Sequence, residues 1–198
     1  MIITNLERGR GQKIYVTLED GNRFLLYTGD IRRYHLREGE ELSEELFARI
    51  MEETIYRRAK QKALAVLKRA DQSESELRRK LKQSEYPEEI IEKTIAYVYS
   101  YHYLDDKRYA ESYLRYKSSS KSRRQMINEL RQKGVTKEDI ESALEEQPGD
   151  DIEAIQRAIR KKTKDVDSLT YEQKQKIAAY LYRKGFQEED IRRELQMR

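Results

Sequence analysis

Three stretches of this sequence superpose when Leu81, Leu130 and Leu181 are aligned, at separations of 49 and 51 residues. Leu81-Lys-Gln-Ser-Glu-Tyr86-Pro-Glu-Glu-Ile-Ile91, Leu130-Arg-Gln-Lys-Gly-Val135-Thr-Lys-Glu-Asp-Ile140 and Leu181-Tyr-Arg-Lys-Gly-Phe186-Gln-Glu-Glu-Asp-Ile191 follow one plan. A helix ends, an apolar residue plugs the turn, acidic residues open the next helix, and Ile returns ten residues after the reference Leu. A fixed period of this length marks a repeat architecture, in which each unit is too thin to hold a full core and leans on its neighbours.

The turns explain the period. Gly134 and Gly185 stand where a helix C-terminus needs a left-handed residue, and Lys133 and Lys184 oppose the preceding helix dipole. Ser73 with Glu76, Thr136 with Asp139 and Thr170 with Gln173 resemble capping boxes, and Pro87 suits a first helical turn. Each repeat is therefore predicted to hold three helices, over 54–70, 74–84 and 87–101, then 105–117, 121–133 and 136–146, then 150–163, 170–184 and 187–196. Ile95, Tyr97, Tyr99, Tyr101 and Tyr103 alternate as a strand would, but Ile91, Ile95 and Val98 fit a helix face and the repeat places a helix there. The tyrosine stripe invites a base-stacking role; at helical spacing the reading adopted is core and inter-repeat packing.

Residues 2 to about 37 read differently. Ile14–Leu18 and Arg23–Tyr27 flank Glu19-Asp20-Gly21-Asn22, a hairpin signal, and a third strand is plausible near Ile2–Leu6. From Ser43 the spacing turns helical, with Ser43 as N-cap, Glu44 and Glu45 in the first turn, and Leu46 and Ile50 on one face. The expected fold is mostly α: three tandem three-helix repeats in an elongated curved array behind a small N-terminal β module. The expected divisions are 1–42 for the β module, 43–53 for a connecting helix, and 54–104, 105–149 and 150–198 for the repeats.

Composition removes several functions. No apolar run approaches the roughly 20 residues of a membrane-spanning helix, and no basic-then-apolar leader opens the chain, so a cytoplasmic protein is expected. Absent cysteine excludes disulfides, thiol catalysis and Cys-based metal sites. His35 and His102 fall in different modules and form no metal-binding pair; surface positions are the reading for both. Gly9-Arg10-Gly11 is only a fragment of a phosphate loop, better read as a hairpin loop. Asp105-Asp106 and Asp150-Asp151 each open a helix, where carboxylates cap amides. No catalytic constellation survives, so no enzyme, cofactor or metal is expected. The 42 Ile, Leu, Val and Phe residues come close to the disorder limit, but fifteen tyrosines can supply buried rings and the net charge is only +4.

Divided by module, the charge is −3 over 1–53, +4 over 54–104, +1 over 105–149 and +2 over 150–198. The basic excess lies in the repeats, clustered as Arg57-Arg58, Arg78-Arg79-Lys80, the run Lys117-Ser118-Ser119-Ser120-Lys121-Ser122-Arg123-Arg124, and Arg160-Lys161-Lys162 with Lys164. Lys, Arg and Ser at an inter-helix turn suit phosphate oxygens, which makes 117–124 the first nucleic-acid candidate; a solvated charged face remains the competing reading. Nothing here reads base edges, so any nucleic-acid binding is expected to be sequence-tolerant.

Tyr103-Leu104-Asp105-Asp106-Lys-Arg108-Tyr109-Ala110, followed by Tyr113 and then Glu129-Leu130-Arg131-Gln132-Lys133-Gly134-Val135, resembles the bacterial RecX family. Ala63-Leu64-x-x-Leu67 with Ser73-x-x-Glu76-Leu77 looks like that family's first repeat, and the likeness runs from about residue 60 to the C-terminus. The resemblance implies a regulator of the RecA recombinase that lies in the groove of the RecA–DNA filament and inhibits ATPase, filament extension and strand exchange, in the setting of DNA repair, homologous recombination and the SOS response. It implies the RecA filament as main partner and weaker sequence-nonspecific contact with single- and double-stranded DNA; apart from the resemblance, no membrane partner is expected and a monomer is the expected state, though no residue decides it. The motif residues Tyr103, Leu104, Asp105, Asp106, Arg108, Tyr109, Glu129, Leu130, Lys133 and Gly134 are read as packing and capping elements. Two positions depart from the family's pattern, which commonly has Gly where Ser122 and His102 stand here. Two rival functions stay open: a plain nucleic-acid-binding helical protein, and a metal-dependent nuclease using Asp105 and Asp106.

Overall fold

The computed structural model describes residues 1–197 and resolves two compact units, Met1–Leu104 and the chain from Asp105 onward. Arg198, the last residue of the expected third repeat, lies outside the described residues.

In the first unit, β1 (Ile3–Arg8), β2 (Lys13–Leu18) and β3 (Arg23–Tyr27) form an antiparallel sheet in sequence order. Val16 pairs with Leu6 on one side and Phe24 on the other. Gly21 turns the second hairpin with φ +85°, as Asp-Gly at that place requires. Alternation puts Ile14, Val16 and Leu18 on one buried face. That face has no core of its own. It packs with Leu36, Leu42 and Ile50 and onto Ile55, Tyr56, Ala59 and Ile90 of the helices that follow.

The expectation of β structure to about residue 37 is corrected at Tyr27, where the strand gives way to a short helix, α1 (Thr28–Arg33). The cause is Asp30. Its carboxylate accepts the Tyr27 amide at 2.8 Å and takes both arms of Arg58 at 2.6 and 2.9 Å, pulling the chain out of the sheet plane. Helix α2 (Glu44–Arg49) is capped as expected by Ser43, whose hydroxyl accepts the Leu46 amide. It does not stop at 53. It continues through a π-helical turn, Ile50–Tyr56, into α3 (Arg57–Arg69). Thr54, Ile55 and Tyr56 are all buried, and three consecutive inward residues exceed what an α-helical face can bury; the widened turn accommodates them. The Tyr34 hydroxyl lies 2.6 Å from that of Thr54 at this turn.

Helices α4 (Glu74–Gln83) and α5 (Glu88–Ser100) complete the first three-helix repeat. The second unit holds α6 (Asp106–Lys117), α7 (Arg123–Gln132) and α8 (Lys137–Glu146), then α9 (Ile152–Arg160), α10 (Tyr171–Arg183) and α11 (Glu188–Glu194). The chain is thus mostly helical, with three three-helix repeats behind a small sheet. Each repeat has a separate small core, and the reference residues Leu81, Leu130 and Leu181 are fully buried at the centre of theirs. Thr170 and Gln173 form the expected capping box. Gly134 and Gly185 adopt φ +78° and +84°. In the first repeat the equivalent position is Glu85, left-handed at φ +63° without glycine's freedom, and its carboxylate is held by Lys13 and, at 2.7 Å, the Tyr15 hydroxyl of β2.

Burial alone would raise the Asp30 carboxyl, but the Arg58 guanidinium and the Tyr27 amide together hold it below the ordinary 3.8. A depressed carboxylate adds stability that is complete above its unfolded value and lost as pH falls through the folded one. Asp30→Asn is therefore expected to destabilise the first unit by about 1–3 kcal/mol at neutral pH. It should also flatten the loss of stability expected of the parent as pH falls below 3.8, with urea unfolding across a pH series as the check.

Candidate nucleic-acid interface

The eleven basic candidates divide sharply by environment. Arg78 bridges α4 and α5, taking Glu74 at 2.6 Å and Glu92 at 2.9 Å, and the Glu92 hydrogen bond chiefly raises its already high pKa. Lys80 donates to the Gln72 side chain. Lys121 is half-buried against Glu129, which also accepts the Tyr113 hydroxyl and, at 3.2 Å, Gln125. Burial pushes Glu129 up, yet these donors leave its carboxyl below the ordinary range, while burial and the same contact push the Tyr113 phenol up.

Arg123 is committed most deeply. Its guanidinium reaches the carbonyls of Leu144 at 3.4 Å, Gln147 at 3.3 Å and Gly149 at 2.6 Å, closing the C-terminal end of α8. Its backbone amide donates to the buried Asp151 carboxylate at 2.8 Å. Asp151 was expected to cap its own helix; Asp150 takes the local amide of Ile152 instead, and Asp151 caps α7 in the neighbouring repeat. Burial raises the Asp151 carboxyl, with the Arg123 amide opposing. Beside it the buried Ser122 hydroxyl accepts the Gln125 amide at 3.1 Å and donates to the Lys184 carbonyl at 2.7 Å. A Cβ on Gly185 would stand 3.0 Å from that hydroxyl. The middle of the 117–124 run is thus the seam between the second and third repeats, so the close approach at Ser122 is made to the protein itself.

The remaining candidates face outward. Arg79, Arg124, Arg160, Lys161 and Lys164 are exposed and carry no ion pair among the described residues. Lys117 lies over the Tyr116 ring at 4.6 Å and Lys162 over Tyr180 at 4.7 Å. Arg124 borders a cleft of about 750 Å³ between α7 and the end of α10, shared with Asn128, Gln132, Tyr182, Arg183 and Lys184. Its one lining carboxylate is Glu129, already neutralised by Lys121. Guanidinium, ammonium and side-chain amide donors around an uncompensated cationic cleft are groups that bind phosphate. Sequence reasoning named Arg124 but passed over Arg183, Asn128 and Gln132, and took Lys184 only as a dipole partner. Aligning the turns would have paired Lys184 with Lys133, but only the fold brings α7 and α10 together.

The family motif is placed by the same physics. Leu104, Asp106 and Tyr109 are buried, Asp105 caps α6 by accepting the Arg108 amide at 2.8 Å, and Lys133 lies 5.9 Å from the Tyr109 ring centre. Tyr103 instead is 49% exposed. His35 and His102 hold left-handed turns at φ +53° and +55°, which accounts for glycine being common at the His102 position. Among the described residues no cluster of three or more metal-ligating side chains occurs, and no helix is long and apolar enough to cross a membrane.

The models of the first, second and third three-helix domains of RecX match residues 59–98, 105–144 and 149–195, in that order. The regulatory protein RecX of Caldanaerobacter subterraneus subsp. tengcongensis is 30% identical, with the whole of both chains covered. That of Clostridium acetobutylicum is 28% identical over 96% of this chain and 92% of its own. A crystal structure of regulatory protein RecX matches with a TM-score of 0.64 at 25% identity, covering 98% of each chain. The RecX structure from Lactobacillus salivarius gives 0.62 at 25% identity, over 71% of this chain and 94% of that one.

Neighbouring arginines should therefore behave oppositely on substitution. Arg123→Ala is expected to cost the second unit about 1–3 kcal/mol by orphaning the α8 carbonyls, whereas Arg124→Ala should stay within about 0.5 kcal/mol of the parent. Parallel denaturant titrations of the two variants decide it.

Proposed function

This chain belongs to the RecX family of regulatory proteins, and on that premise we propose that it regulates the RecA recombinase by binding the groove of the RecA–DNA filament and inhibiting ATPase, filament extension and strand exchange. The observation that carries the reading is the full set of three family domains in order, combined with outward-facing cations that the fold leaves unpaired in the second unit. The mechanism is steric and electrostatic. Repeats seated in the groove obstruct the addition and rearrangement of protomers, while Arg124, Arg160, Lys161, Lys164, Arg183 and Lys184 meet DNA phosphates or acidic protomer surface. Arg78, Lys121 and Arg123 serve the fold instead. Action is in the cytoplasm, where the filament forms, and the protein works as a monomer without a cofactor.

The cationic cleft by itself would also suit a sequence-tolerant DNA-binding protein with no special relation to RecA. The two readings separate in one titration. Steady-state ATP hydrolysis by cognate RecA on single-stranded DNA is followed as this protein is added, with binding to bare DNA measured in the same buffer. Inhibition is expected well below the concentration that coats the DNA; inhibition appearing only at DNA saturation favours the plain DNA binder. With four to six phosphate contacts the log–log salt slope on single strands is expected near −3 to −4. Arg124→Glu with Arg183→Glu should weaken binding and lower that slope, and an unchanged slope removes the cleft from the assignment.

A further inference from the structure

The first repeat carries an aromatic surface that none of the above employs. Helix α5 ends in a left-handed turn at His102, closed by the His102 amide to the Tyr99 carbonyl and the Tyr103 amide to the Val98 carbonyl, both at 2.9 Å. That turn folds the chain back so that Tyr103 stacks beside Tyr101, ring centres 6.0 Å apart and planes within 15°. Tyr101 in turn meets Tyr97, one helical turn earlier, at 4.8 Å. The sequence reading of this stripe as packing holds for Tyr97 and Tyr99, which lie against the repeat's core. It fails for the outer two: Tyr101 is 59% exposed and Tyr103 49%.

Cations adjoin the rings. Lys60 lies over both Tyr56 and Tyr97, at 4.4 and 5.1 Å, and has no carboxylate partner among the described residues. Lys93 lies 4.5 Å from the Tyr56 ring centre and pairs with Glu52. Glu52 and Glu89 are the acidic groups acting on Lys93, so the neutralised end of the strip lies there and the uncompensated charge belongs to Lys60, beside the tyrosines. This repeat also has the largest basic excess of the chain.

We propose that Tyr101 and Tyr103, backed by Tyr97 and flanked by Lys60, form a stacking platform for single-stranded DNA. Exposed rings accept bases of any identity on their π faces, and an adjacent ammonium tracks the phosphates between them. A duplex, whose bases are already stacked on each other, has nothing to offer such a surface; an unpaired strand has. The charge beside the rings favours this ligand over an apolar peptide. The site rests on the nucleic-acid side of the function proposed above and is independent of RecA.

The test uses the full chain, a short dye-labelled oligo(dT) strand without RecA, and fluorescence anisotropy. Tyr101→Leu with Tyr103→Leu keeps apolar cover but removes the π faces, and is expected to weaken oligo(dT) binding about tenfold or more. Tyr101→Phe with Tyr103→Phe is expected to bind as the parent does, and Lys60→Gln to reduce the single-strand salt slope by about 0.7. Thermal unfolding of each variant establishes that it is folded; should the Leu pair not fold, Tyr101→Leu alone serves. Parent-like oligo(dT) affinity in a folded Leu variant overturns the platform. So does a Leu variant that loses inhibition of RecA while holding bare strand normally, since the surface then docks protein. Failure of the regulatory reading shows separately, as an absence of ATPase inhibition by the parent chain.

Discussion

Everything in the helical part of this molecule depends on a helix end that must enter the left-handed region and then bury an apolar residue. Leu81 with Tyr86, Leu130 with Val135 and Leu181 with Phe186 each make this closure, the Leu fully buried and the plug folded back over it. In each turn the amide of the plug residue reaches the carbonyl of that same Leu, at 3.4, 3.1 and 3.3 Å. The hydrogen bond and the hydrophobic contact thus specify one geometry together. Three helices joined in this way enclose a core of only about seven or eight buried residues, which is why the units need their neighbours.

Where such small cores meet, polar groups do the joining. Ser122 and Asp151 connect the second repeat to the third through one hydroxyl and one carboxylate, bonded to the Lys184 carbonyl and the Arg123 amide across the seam, while the Arg123 guanidinium closes the end of α8 beside them. Each of these bonds satisfies a helix-terminal group that would otherwise be orphaned in a buried place. The first repeat solves the same problem against the sheet. Glu85 occupies the left-handed position that glycine takes in the other two turns, and its side chain is thereby free to hold Lys13 and Tyr15. Backbone strain at one residue is exchanged for a tie between two modules.

The parts legible in the sequence were those with a local cause. The threefold period, the Asp20-Gly21 hairpin, the caps at Ser43, Ser73, Thr136 and Thr170 and the glycine stops all follow from a few neighbouring residues, and each stands where local chemistry puts it. Helix α1 was missed because the Asp30 carboxylate that opens it is held in place by Arg58, 28 residues away. The π turn was missed because Thr54, Ile55 and Tyr56 are all drawn inward by the sheet, a tertiary demand with no local signature. The candidate interface suffered most. Arg123 and Arg124 are adjacent and chemically identical, yet one closes a helix and the other faces a cleft. Composition and spacing cannot tell a cation that holds the fold from one that awaits a partner.

That division also limits what DNA contact alone can accomplish. With three of the eleven basic candidates tied to carboxylates or carbonyls, the proposed phosphate contacts, if about five, would give a single-strand salt slope near −3.5, a loss of roughly a hundredfold between 50 and 200 mM salt. Phosphate contact carries no sequence information, so affinity of this kind would be spread over every strand alike. A protein of this design acts selectively on a filament only if the selectivity comes from protomer surface, with phosphate contact adding on-rate and orientation. The abundance of carboxylates among the basic residues then has a use. A surface of mixed sign binds bare DNA less tightly than a uniformly basic one, and it can match a protein partner by charge pattern, which a polyanion cannot offer.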